Sequence, residues 1–383
     1  MTTPPRTEGA IRIAILGSRG IPGAYGGFET CAEELAVRLV ERGHEVSVYC
    51  CRPYTPEAPR FHRGVRRVLV PTLHRKGMEK LVHSLLSLLH VSMRGADVVL
   101  VLGVAAAPFA FLPRIVGSRV VLNTDGLEWR RRKWGRFASA YLRFAERAAC
   151  ATANHLVTDA HCVRDHYQSA YGARSTFIPY GSRPAPASSA DIVRRLGVEP
   201  GRYLLYVSRF DPENNALLVR RAFEQVRTDL PLLMVGAAPY ADGYVRQVRD
   251  TRDARIRFPG AIYGDGYLAL QAHARAYVQA SEVGGTHPAL VEAIGLGACV
   301  VANDVPEHRE VLGDAGLFYD GTVEDLARRL QEVVDRDDRV EECRARARAV
   351  APRYSWDAIV GQYERLFAAV RDGVALPAGG IGC

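Results

Sequence analysis

The feature that most constrains this chain is a glycine-rich loop between a buried strand and an amphipathic helix near the N-terminus. Ile11–Leu16 is a short apolar run, and the loop Gly17–Gly27 follows it with the sequence GSRGIPGAYGG. From Phe28 onward, apolar residues recur at spacings of i, i+3, i+4, i+7 and i+8, which is one face of a helix. Val46–Tyr49 then predicts a second strand. A strand, loop, helix and strand in this order form a βαβ unit, so the sequence predicts a parallel sheet.

The same alternation continues along the chain and divides it into two parts. Ser182–Ala190, with the sequence SRPAPASSA, has no hydrophobic period and is predicted to be a linker. A second series of strands and helices begins at Tyr203–Val207, and a last helix is predicted to begin at Ser355, a residue type favoured at N-caps. The expected fold class is α/β, with two Rossmann-like doubly wound domains facing a cleft. The predicted boundaries are 1–181 for the N-terminal domain, 182–354 for the C-terminal domain, and 355–383 for the last helix and a flexible tail.

Composition and patterning exclude several classes of protein. Of the 383 residues, 48% are hydrophobic and 24% are charged, which argues against disorder, collagen and coiled coil. The longest apolar stretch, Val98–Pro113, falls short of the roughly 18 residues of a spanning helix. The first ten residues lack the apolar region of a signal peptide and are expected to be a short disordered lead. The eight Cys have neither zinc nor CxxC spacing, so we expect reduced thiols in a cytosolic protein.

Positive charge is concentrated in the N-terminal half. Residues 1–180 carry 25 Lys and Arg against 14 Asp and Glu, whereas the remainder carries 25 against 28. This asymmetry predicts an anionic partner for the N-terminal half, such as membrane lipid, nucleic acid or a phosphorylated substrate.

Two loops have the composition of anion-binding sites at helix N-termini. In Gly17–Gly27 the glycines allow backbone N–H groups to approach a phosphate, although the spacing is not the GxGxxG of dinucleotide-binding loops. The second loop contains Gly284, Gly285 and Thr286 and precedes Pro288, which suits the first turn of a helix. The glycine-rich loop is expected to lie near a phosphate or diphosphate, with a constrained turn as its alternative, whereas the second loop suits a tight turn without a ligand equally well.

Two charged residues are placed to extend these sites. Arg209 follows the predicted strand Tyr203–Val207, where a guanidinium can bind a phosphate through two hydrogen bonds. A lone Arg at a strand end is, however, more often part of a surface ion pair. Glu292 lies one turn inside the helix that begins near Pro288, within reach of sugar hydroxyls, and its alternative is a solvated carboxylate.

Six motifs follow one another along the chain: ILGSRGIPGAYGGFET at 15–30, NTDGLEWRRRKW at 123–134, IPYG at 178–181, SRFDPENN at 208–215, SEVGGTHPALVEAIGLG at 281–297 and YSWDAIVGQYERLF at 354–367. In this order they resemble the motifs of the retaining GT-B glycosyltransferases of family 4, and the N-terminal half is similar to the rhamnosyltransferase-type branch of that family. The resemblance covers nearly the whole chain. It implies transfer of a sugar from a nucleotide-diphosphate donor, UDP- or dTDP-linked, to a glycan, lipid-linked or small-molecule acceptor of polysaccharide biosynthesis. It also implies retention of the anomeric configuration, no cofactor, no catalytic metal, and a last helix that crosses back to the N-terminal domain.

The resemblance implies roles for the matching residues. Gly26 and Gly27 would approach the donor diphosphate, and Arg209 would bind it from the C-terminal domain. Glu292 would hold the nucleotide ribose, and Glu282 would meet the donor sugar as a catalytic residue. The other implied donor-binding residues are Gly284, Gly285 and Thr286.

The chain departs from the family pattern at two places. Asn214 stands where the family has Lys, so one positive charge on the leaving diphosphate is missing unless Arg19 or another basic residue replaces it. The family separates its two glutamates by seven residues, whereas Glu282 and Glu292 are separated by nine. That count places Gly284 at the usual glutamate position, and Glu282 is displaced from it.

The acceptor side is predicted from the segment after a strand near residue 123. Asp125 and Glu128 are candidate acceptor contacts, or a catalytic base, and each is equally suited to cap its loop. The segment Arg130–Phe137 then contains five cations and two aromatics, Trp134 and Phe137. This combination favours an anionic membrane surface or a lipid-diphosphate acceptor. A solvated basic face is the alternative, and no nucleic-acid-binding module accompanies the cluster. The residues expected to add an interfacial helix are Arg75, Lys76, Lys80, Leu81, Leu85, Leu88 and Leu89.

Three other functions stay open at this point. A sugar-nucleotide epimerase can use the same fold, and it would need acid–base carboxylates against the sugar. A catalytically silent sugar-nucleotide-binding subunit would fit the Asn214 departure. A nicotinamide-dependent oxidoreductase lacks the acidic residue that completes its fingerprint. The expected location is cytoplasmic, peripheral at the inner face of the cell membrane.

Overall fold

The computed structural model describes residues 9–23, 26–54, 59–73, 78–130, 134–187, 189–237, 242–282 and 285–374. The chain forms two compact units. Unit 1 contains the chain up to Pro179 and again from Trp356 onward, and unit 2 contains Tyr180–Ser355. The predicted disordered lead, residues 1–8, and the predicted tail, residues 375–383, lie outside the described residues.

The described residues of unit 1 build a sheet of eight strands. The strands are β1 (Arg12–Leu16), β2 (Glu45–Cys51), β3 (Phe61–His62), β4 (Val65–Val70), β5 (Val98–Leu102), β6 (Arg119–Asn123), β7 (His155–Thr158) and β8 (Ser175–Phe177). The helices are α1 (Gly27–Glu41), α2 (Glu79–Arg94), α3 (Leu112–Ile115), α4 (Arg136–Thr152) and α5 (His161–Tyr171). The sheet order is β3-β4-β2-β1-β5-β6-β7-β8, and every pair is parallel except β3 with β4. The central strand β5 is buried along its whole length, as expected for a parallel sheet covered on both faces.

Unit 2 has a smaller sheet, of six strands in its described part. The strands are β9 (Leu204–Val207), β10 (Leu232–Val235), β11 (Ile256–Gly260), β12 (Ala276–Gln279), β13 (Val300–Asn303) and β14 (Gly316–Tyr319). The helices are α6 (Ser189–Arg195), α7 (Ala216–Phe223), α8 (Asp242–Arg249), α9 (Gly264–His273), α10 (Pro288–Gly295), α11 (Pro306–Leu312), α12 (Val323–Asp335) and α13 (Asp337–Val350). The order β11-β10-β9-β12-β13-β14 is entirely parallel and is the Rossmann order. The predicted fold class, two Rossmann-like α/β domains, is confirmed.

Each sheet reverses its strand order once, and this reversal positions the candidate sites. In unit 1 the reversal lies between β1 and β5, and in unit 2 it lies between β9 and β12. Ligands of open parallel sheets bind beyond the carboxyl ends of the strands at such a switch point. The loop after β1 is the glycine-rich segment, the loop after β9 contains Arg209, and the loop after β12 contains Glu282. In each unit, these motifs therefore lie beyond the carboxyl ends of the strands beside the switch point of its own sheet, where the topology favours binding.

The last helix, α14 (Trp356–Asp372), belongs to unit 1, so its predicted return to the N-terminal domain is confirmed. Its apolar face is buried, and Asn123 Nδ2 donates a hydrogen bond to the Tyr363 hydroxyl at 3.0 Å. Glu364 adds charged contacts to the end of α1 and the start of β2, at 2.8 Å to Arg42 Nη1 and 2.9 Å to His44 Nε2. Packing and electrostatics together hold the C-terminal helix against the sheet of unit 1.

The segment predicted to be an irregular linker is more ordered than its composition suggests. Ser182 forms a parallel bridge with Ser355, and its backbone N–H donates to Tyr354 O at 2.6 Å. A helix, α6, begins at Ser189. The two passages of the chain at the border of unit 2 therefore pair with each other, a long-range contact that the local composition does not encode.

Candidate functional site

Arg209 lies beyond the carboxyl end of β9, at the switch point of unit 2. Its side chain is 43% exposed, and its Nε is 3.8 Å from Asp211 Oδ2. An exposed ion pair at this separation holds a guanidinium weakly. The side chain is therefore placed to exchange Asp211 for an incoming anion.

The amide of Asn214 faces into the protein and braces the Arg209 loop. Its side-chain Nδ2 donates to Arg209 O at 2.8 Å, and its backbone carbonyl accepts a hydrogen bond from the Tyr206 hydroxyl at 2.7 Å. The position where the resembled family has Lys thus contributes loop structure rather than charge. Arg19, the suggested replacement, is in unit 1 and pairs through Nε with Glu79 Oε1 at 3.0 Å.

Asn215 joins two motifs that are far apart in sequence. Its backbone is in the left-handed region, with φ 59°, a conformation that Asn tolerates better than most residues. Its Nδ2 donates to Ala280 O and to Glu282 Oε1, both at 3.0 Å. The Glu282 N–H in turn donates to Glu213 O at 3.0 Å. These bonds join the loop after β9, which contains Arg209, to the loop after β12, and they orient the Glu282 carboxylate.

Helix α10 carries the other predicted donor-binding residues. It begins at Pro288, with Gly285 and Thr286 buried just before it. Gly284 lies outside the described residues. Glu292 is in the second turn and is only 5% exposed. Arg183 Nη2 is 3.7 Å from Glu292 Oε1, so a cation that the sequence reasoning did not single out accompanies this carboxylate.

A buried polar network supports the loop before α10. His308 Nδ1 is 2.8 Å from Asn303 O, and its Nε2 is 3.4 Å from Ser281 Oγ. The Ser281 hydroxyl is also 3.3 Å from His287 Nε2, at the N-cap of α10. These residues come from three different elements, so periodicity and motif spacing gave no signal for them.

In unit 1, Gly26 is the N-cap of α1 and Gly27 is its first residue. The first turn of a helix leaves N–H groups without intrahelical partners, so this end of α1 suits an anion. Gly17, where the loop begins, has φ +100°, and a Cβ there would lie 2.3 Å from Leu102 O of β5. Only glycine allows this loop to pass so close to the neighbouring strand.

Two carboxylates of α1 already occupy part of the glycine loop. Glu29 Oε1 accepts from the Arg19 N–H at 2.8 Å, and Glu33 Oε2 accepts from the Gly23 N–H at 2.6 Å. These internal anions fold the loop onto its own helix. The predicted approach to a diphosphate at Gly26 and Gly27 therefore concerns the helix end rather than the whole loop.

Asp125 stands in a strained backbone conformation beyond β6. Its φ is +57°, which is uncommon outside glycine, and its N–H donates to Asn123 Oδ1 at 2.9 Å. The second acceptor-side candidate, Glu128, accepts a hydrogen bond from Trp134 Nε1 at 3.1 Å. Asp125 is therefore held at the strand end, whereas Glu128 stabilises its own loop.

The basic cluster exposes Phe137 more than Trp134, the two aromatics that the sequence indicated. Trp134 is partly buried, packs against the core of unit 1 and donates a hydrogen bond to Glu128. Phe137 is 95% exposed at the start of α4, and Phe144 is 58% exposed two turns later. Residues 131–133 lie outside the described part of the chain.

Helix α2 does not present the predicted leucine stripe as one surface. Leu88 is fully buried in the core of unit 1, whereas Leu89 is exposed. Lys80 points toward α1, with Nζ 4.2 Å from the centre of the Phe28 ring. Arg75 and Lys76 lie outside the described residues. The prediction of one interfacial face on this helix is therefore wrong for Leu88, because that side of α2 packs on the sheet.

Two family models match the chain. Residues 201–336 match Glycosyl transferases group 1, a range that runs from just before β9 to just past α12 and includes Arg209, Glu282 and Glu292. The chain is a glycosyltransferase. Its N-terminal residues 11–183 match a domain of unknown function, DUF1972.

Two curated relatives of this glycosyltransferase transfer mannose. O-antigen chain mannosyltransferase B of Escherichia coli is 28% identical over 190 residues, which cover 48% of this chain and about half, 49%, of that protein. Phosphatidyl-myo-inositol mannosyltransferase of Mycobacterium tuberculosis is 26% identical over 379 residues, which cover 90% of this chain and 93% of that protein.

Solved structures place the glycosyltransferase in the GT-B fold. HepE of Anabaena, crystallised with UDP and glucose, has a TM-score of 0.75 at 18% identity, covering 94% of this chain and 100% of that chain. Sucrose-phosphate synthase of Thermosynechococcus elongatus has a TM-score of 0.76 at 18% identity, covering 93% and 99%. At these identities the likeness shows the fold alone.

The buried network predicts an acid-sensitive unit 2. Burial lowers the pKa of His308 to about 4, below the roughly 6.5 of an unfolded His. Between these values the unfolded chain binds a proton that the folded chain does not, so the free energy of unfolding falls as pH drops. From pH 7 to pH 5, we expect the wild type to lose about 2 kcal/mol more than His308→Gln in urea denaturation. An equal loss in both proteins would contradict a neutral buried His308.

Proposed function

We propose that this glycosyltransferase moves a hexosyl group from a nucleoside-diphosphate sugar to a glycan or lipid-linked acceptor. The proposal rests on where residues of the group 1 domain lie in the fold. Its residues 201–336 supply Arg209 and Glu292, which lie beside the switch point of unit 2. The mannosyltransferase relatives and the structure of HepE with UDP support a hexosyl donor on a nucleoside diphosphate. Polysaccharide biosynthesis, with rhamnose or mannose as the sugar and UDP or dTDP as its carrier, is the setting that we propose.

The donor would be bound mainly by charge and by backbone dipoles. Arg209 would stabilise the departing diphosphate, with help from the N-terminus of α10 at Gly285 and Thr286. Glu292 would accept hydrogen bonds from ribose hydroxyls. Positioning and charge stabilisation of the leaving group then supply most of the catalysis.

The acceptor side would be built on Asp125 in unit 1. Its strained backbone holds the carboxylate at the end of β6, where it can orient or deprotonate an acceptor hydroxyl. Glu282, fixed by Asn215, would contact the transferred sugar. We propose transfer with retention of the anomeric configuration, which analysis of the product by NMR would test.

One experiment separates this proposal from an epimerase and from a silent binding subunit, two of the functions that the sequence left open. The purified protein is first screened by thermal shift against UDP, dTDP, GDP and their sugars, and then incubated with the stabilising sugar nucleotide. Transfer to an acceptor, or slow hydrolysis of the donor, supports a glycosyltransferase. Conversion to an epimeric donor without an acceptor would show an epimerase. Binding without any turnover would show a silent binding subunit.

Arg209→Ala and Glu292→Ala should each weaken binding of the nucleoside diphosphate selected by the thermal-shift screen. A charge-assisted contact contributes about 1.5–3 kcal/mol, so the affinity should fall roughly tenfold or more in isothermal titration calorimetry. Arg202→Ala removes an exposed arginine of unit 2, paired with Asp229, and should leave the affinity unchanged. Wild-type affinity in both site variants would refute the assignment of the site.

We further propose that no divalent metal takes part. The one Asp-x-Asp pair in the sequence is Asp335 and Asp337, at the junction of α12 and α13. Asp337 is 2.6 Å from Arg275 Nη2, and Asp335 accepts from Gln331 Nε2 at 2.9 Å. Both carboxylates are thus engaged away from the candidate site residues.

Transfer activity should therefore persist in excess EDTA, because Arg209 and a helix N-terminus can neutralise the diphosphate. The measurement is the initial rate of donor consumption with and without the chelator. Loss of activity that magnesium or manganese restores would show that the diphosphate needs a metal.

The partner proposed for unit 1 is an anionic membrane surface. Phe137 and Phe144 lie seven residues apart, so they share one face of α4. The exposed arginines along the same helix are Arg136, Arg143 and Arg147. Exposed aromatics among cations are the combination that binds the headgroup region of anionic bilayers. No helix among the described residues is long and apolar enough to span a membrane.

Exchange of both Phe137 and Phe144 for Ser should reduce pelleting with phosphatidylglycerol vesicles, because the aromatic anchors are lost. Pelleting of the wild type should weaken as salt rises, since the screening length shortens to about 8 Å near physiological ionic strength. The control Phe61→Ser changes another exposed Phe of unit 1 and should pellet like the wild type. A wild type that stays in solution at low salt would show that the face is solvated.

A further inference from the structure

The segment that leads into unit 2 is fixed tightly over helix α10. Ser182 forms a bridge with Ser355, and both its backbone N–H and its hydroxyl donate to Tyr354 O, at 2.6 and 3.2 Å. Three contacts at one residue leave the neighbouring Arg183 little freedom of backbone position.

Gly295 shows how closely this segment approaches α10. A Cβ at Gly295 would lie 2.0 Å from Ser182 Oγ and 2.2 Å from Ser182 Cβ, so no side chain fits there without moving the backbone. Gly295 is three residues after Glu292 and therefore shares its face of the helix. The contact at Gly295 thus places Arg183 beside the carboxylate one turn earlier.

Arg183 and Glu292 form an ion pair that is largely shielded from water. Arg183 Nη2 is 3.7 Å from Glu292 Oε1, and the two side chains are 26% and 6% exposed. Burial, together with the negative charge of Glu292, raises the pKa of the Tyr267 hydroxyl, and Arg183 opposes that effect. Desolvation disfavours the charge of a carboxylate this buried, and the positive charge of Arg183 opposes that cost.

We propose that Arg183 is a positioning residue for nucleotide recognition, because its charge holds the Glu292 carboxylate oriented toward the ribose hydroxyls of the donor. The inference rests on the proposed function and adds a residue that neither the family motifs nor the spacing of glutamates identifies. The separation of 3.7 Å is longer than a hydrogen bond, so Arg183 acts on Glu292 through charge at a distance.

A double substitution distinguishes whether Arg183 acts through Glu292 or contacts the donor phosphates directly. If Arg183 works through Glu292, its loss has little further effect once the carboxylate is gone. If Arg183 instead contacts the phosphates directly, the effects of the two substitutions add. A nucleotide without 2′- and 3′-hydroxyls provides a second test of whether Arg183 acts through Glu292, because such a nucleotide has no ribose hydroxyls for Glu292 to bind.

The experiment measures UDP binding by calorimetry, or binding of dTDP or GDP if the thermal-shift panel shows that nucleotide to bind tighter. The proteins are the wild type, Arg183→Gln, Arg183→Lys, Glu292→Gln, the Arg183→Gln/Glu292→Gln double variant, and Arg202→Gln as the exposed-arginine control. We expect Arg183→Gln to lose about tenfold in affinity, Arg183→Lys to recover part of it, and the double variant to match Glu292→Gln within about twofold. The 2′,3′-dideoxy nucleotide should bind all of these proteins with similar affinity.

Thermal melting of each variant identifies any that fail to fold. If Arg183→Gln does not fold, the lysine variant, which retains the charge, is compared with the wild type on both nucleotides. Affinity within twofold of the wild type for Arg183→Gln, or additive losses in the double variant, would overturn the role of Arg183 while leaving the proposed function in place. A wild type that binds none of UDP, dTDP and GDP would overturn the proposed function itself, and this inference with it.

Discussion

Parallel pairing of the central strands is the constraint on which the rest of the structure depends. In unit 2, β9 pairs in parallel with β10 on one side and with β12 on the other. Because all three strands run in one direction, their carboxyl ends lie at one edge of the sheet. The loops that contain Arg209 and Glu282, which are 73 positions apart in the chain, are joined there by the hydrogen bonds of Asn215 to Ala280 and Glu282. The same pairing in unit 1 brings the glycine loop beside the end of β5.

The charged groups around the switch points of the two units differ. In unit 1 the glycine loop binds carboxylates of its own helix, Glu29 and Glu33, so part of its anion-binding capacity is used within the protein. In unit 2 the arginine at the switch point is half exposed and only loosely paired, and the lysine position of the resembled family holds the inward-facing Asn214. Arg183 supplies a cation beside Glu292 from a part of the chain that has no motif. The cations near the candidate site of unit 2 therefore come from separate segments of the chain.

The sequence predicted the fold well because hydrophobic period and glycine position are local signals. Strand and helix alternation indicated both Rossmann-like domains, and the motifs fell on loops that the topology places together. The side chains that depend on long-range packing were predicted less well. Trp134 was assigned to a membrane-facing cluster and is partly buried against the core and bonded to Glu128, whereas Leu88 was assigned to an exposed stripe but faces the core. A helical pattern shows which residues share a face, but it does not show which face the sheet covers.

The order of elements, the parallel sheets, the loops that contain Arg209 and Glu282, and the helix that contains Glu292 were all encoded in the sequence. These follow from backbone geometry and from the periods of 2 and 3.6 residues, which neighbouring residues encode. Only the tertiary structure decided that Asn214 turns inward, that His308 is buried as a neutral group, and that Arg183 lies over Glu292. Each of these depends on contacts between segments that are distant in the chain, where burial and desolvation, rather than local propensity, determine which partner a polar group finds.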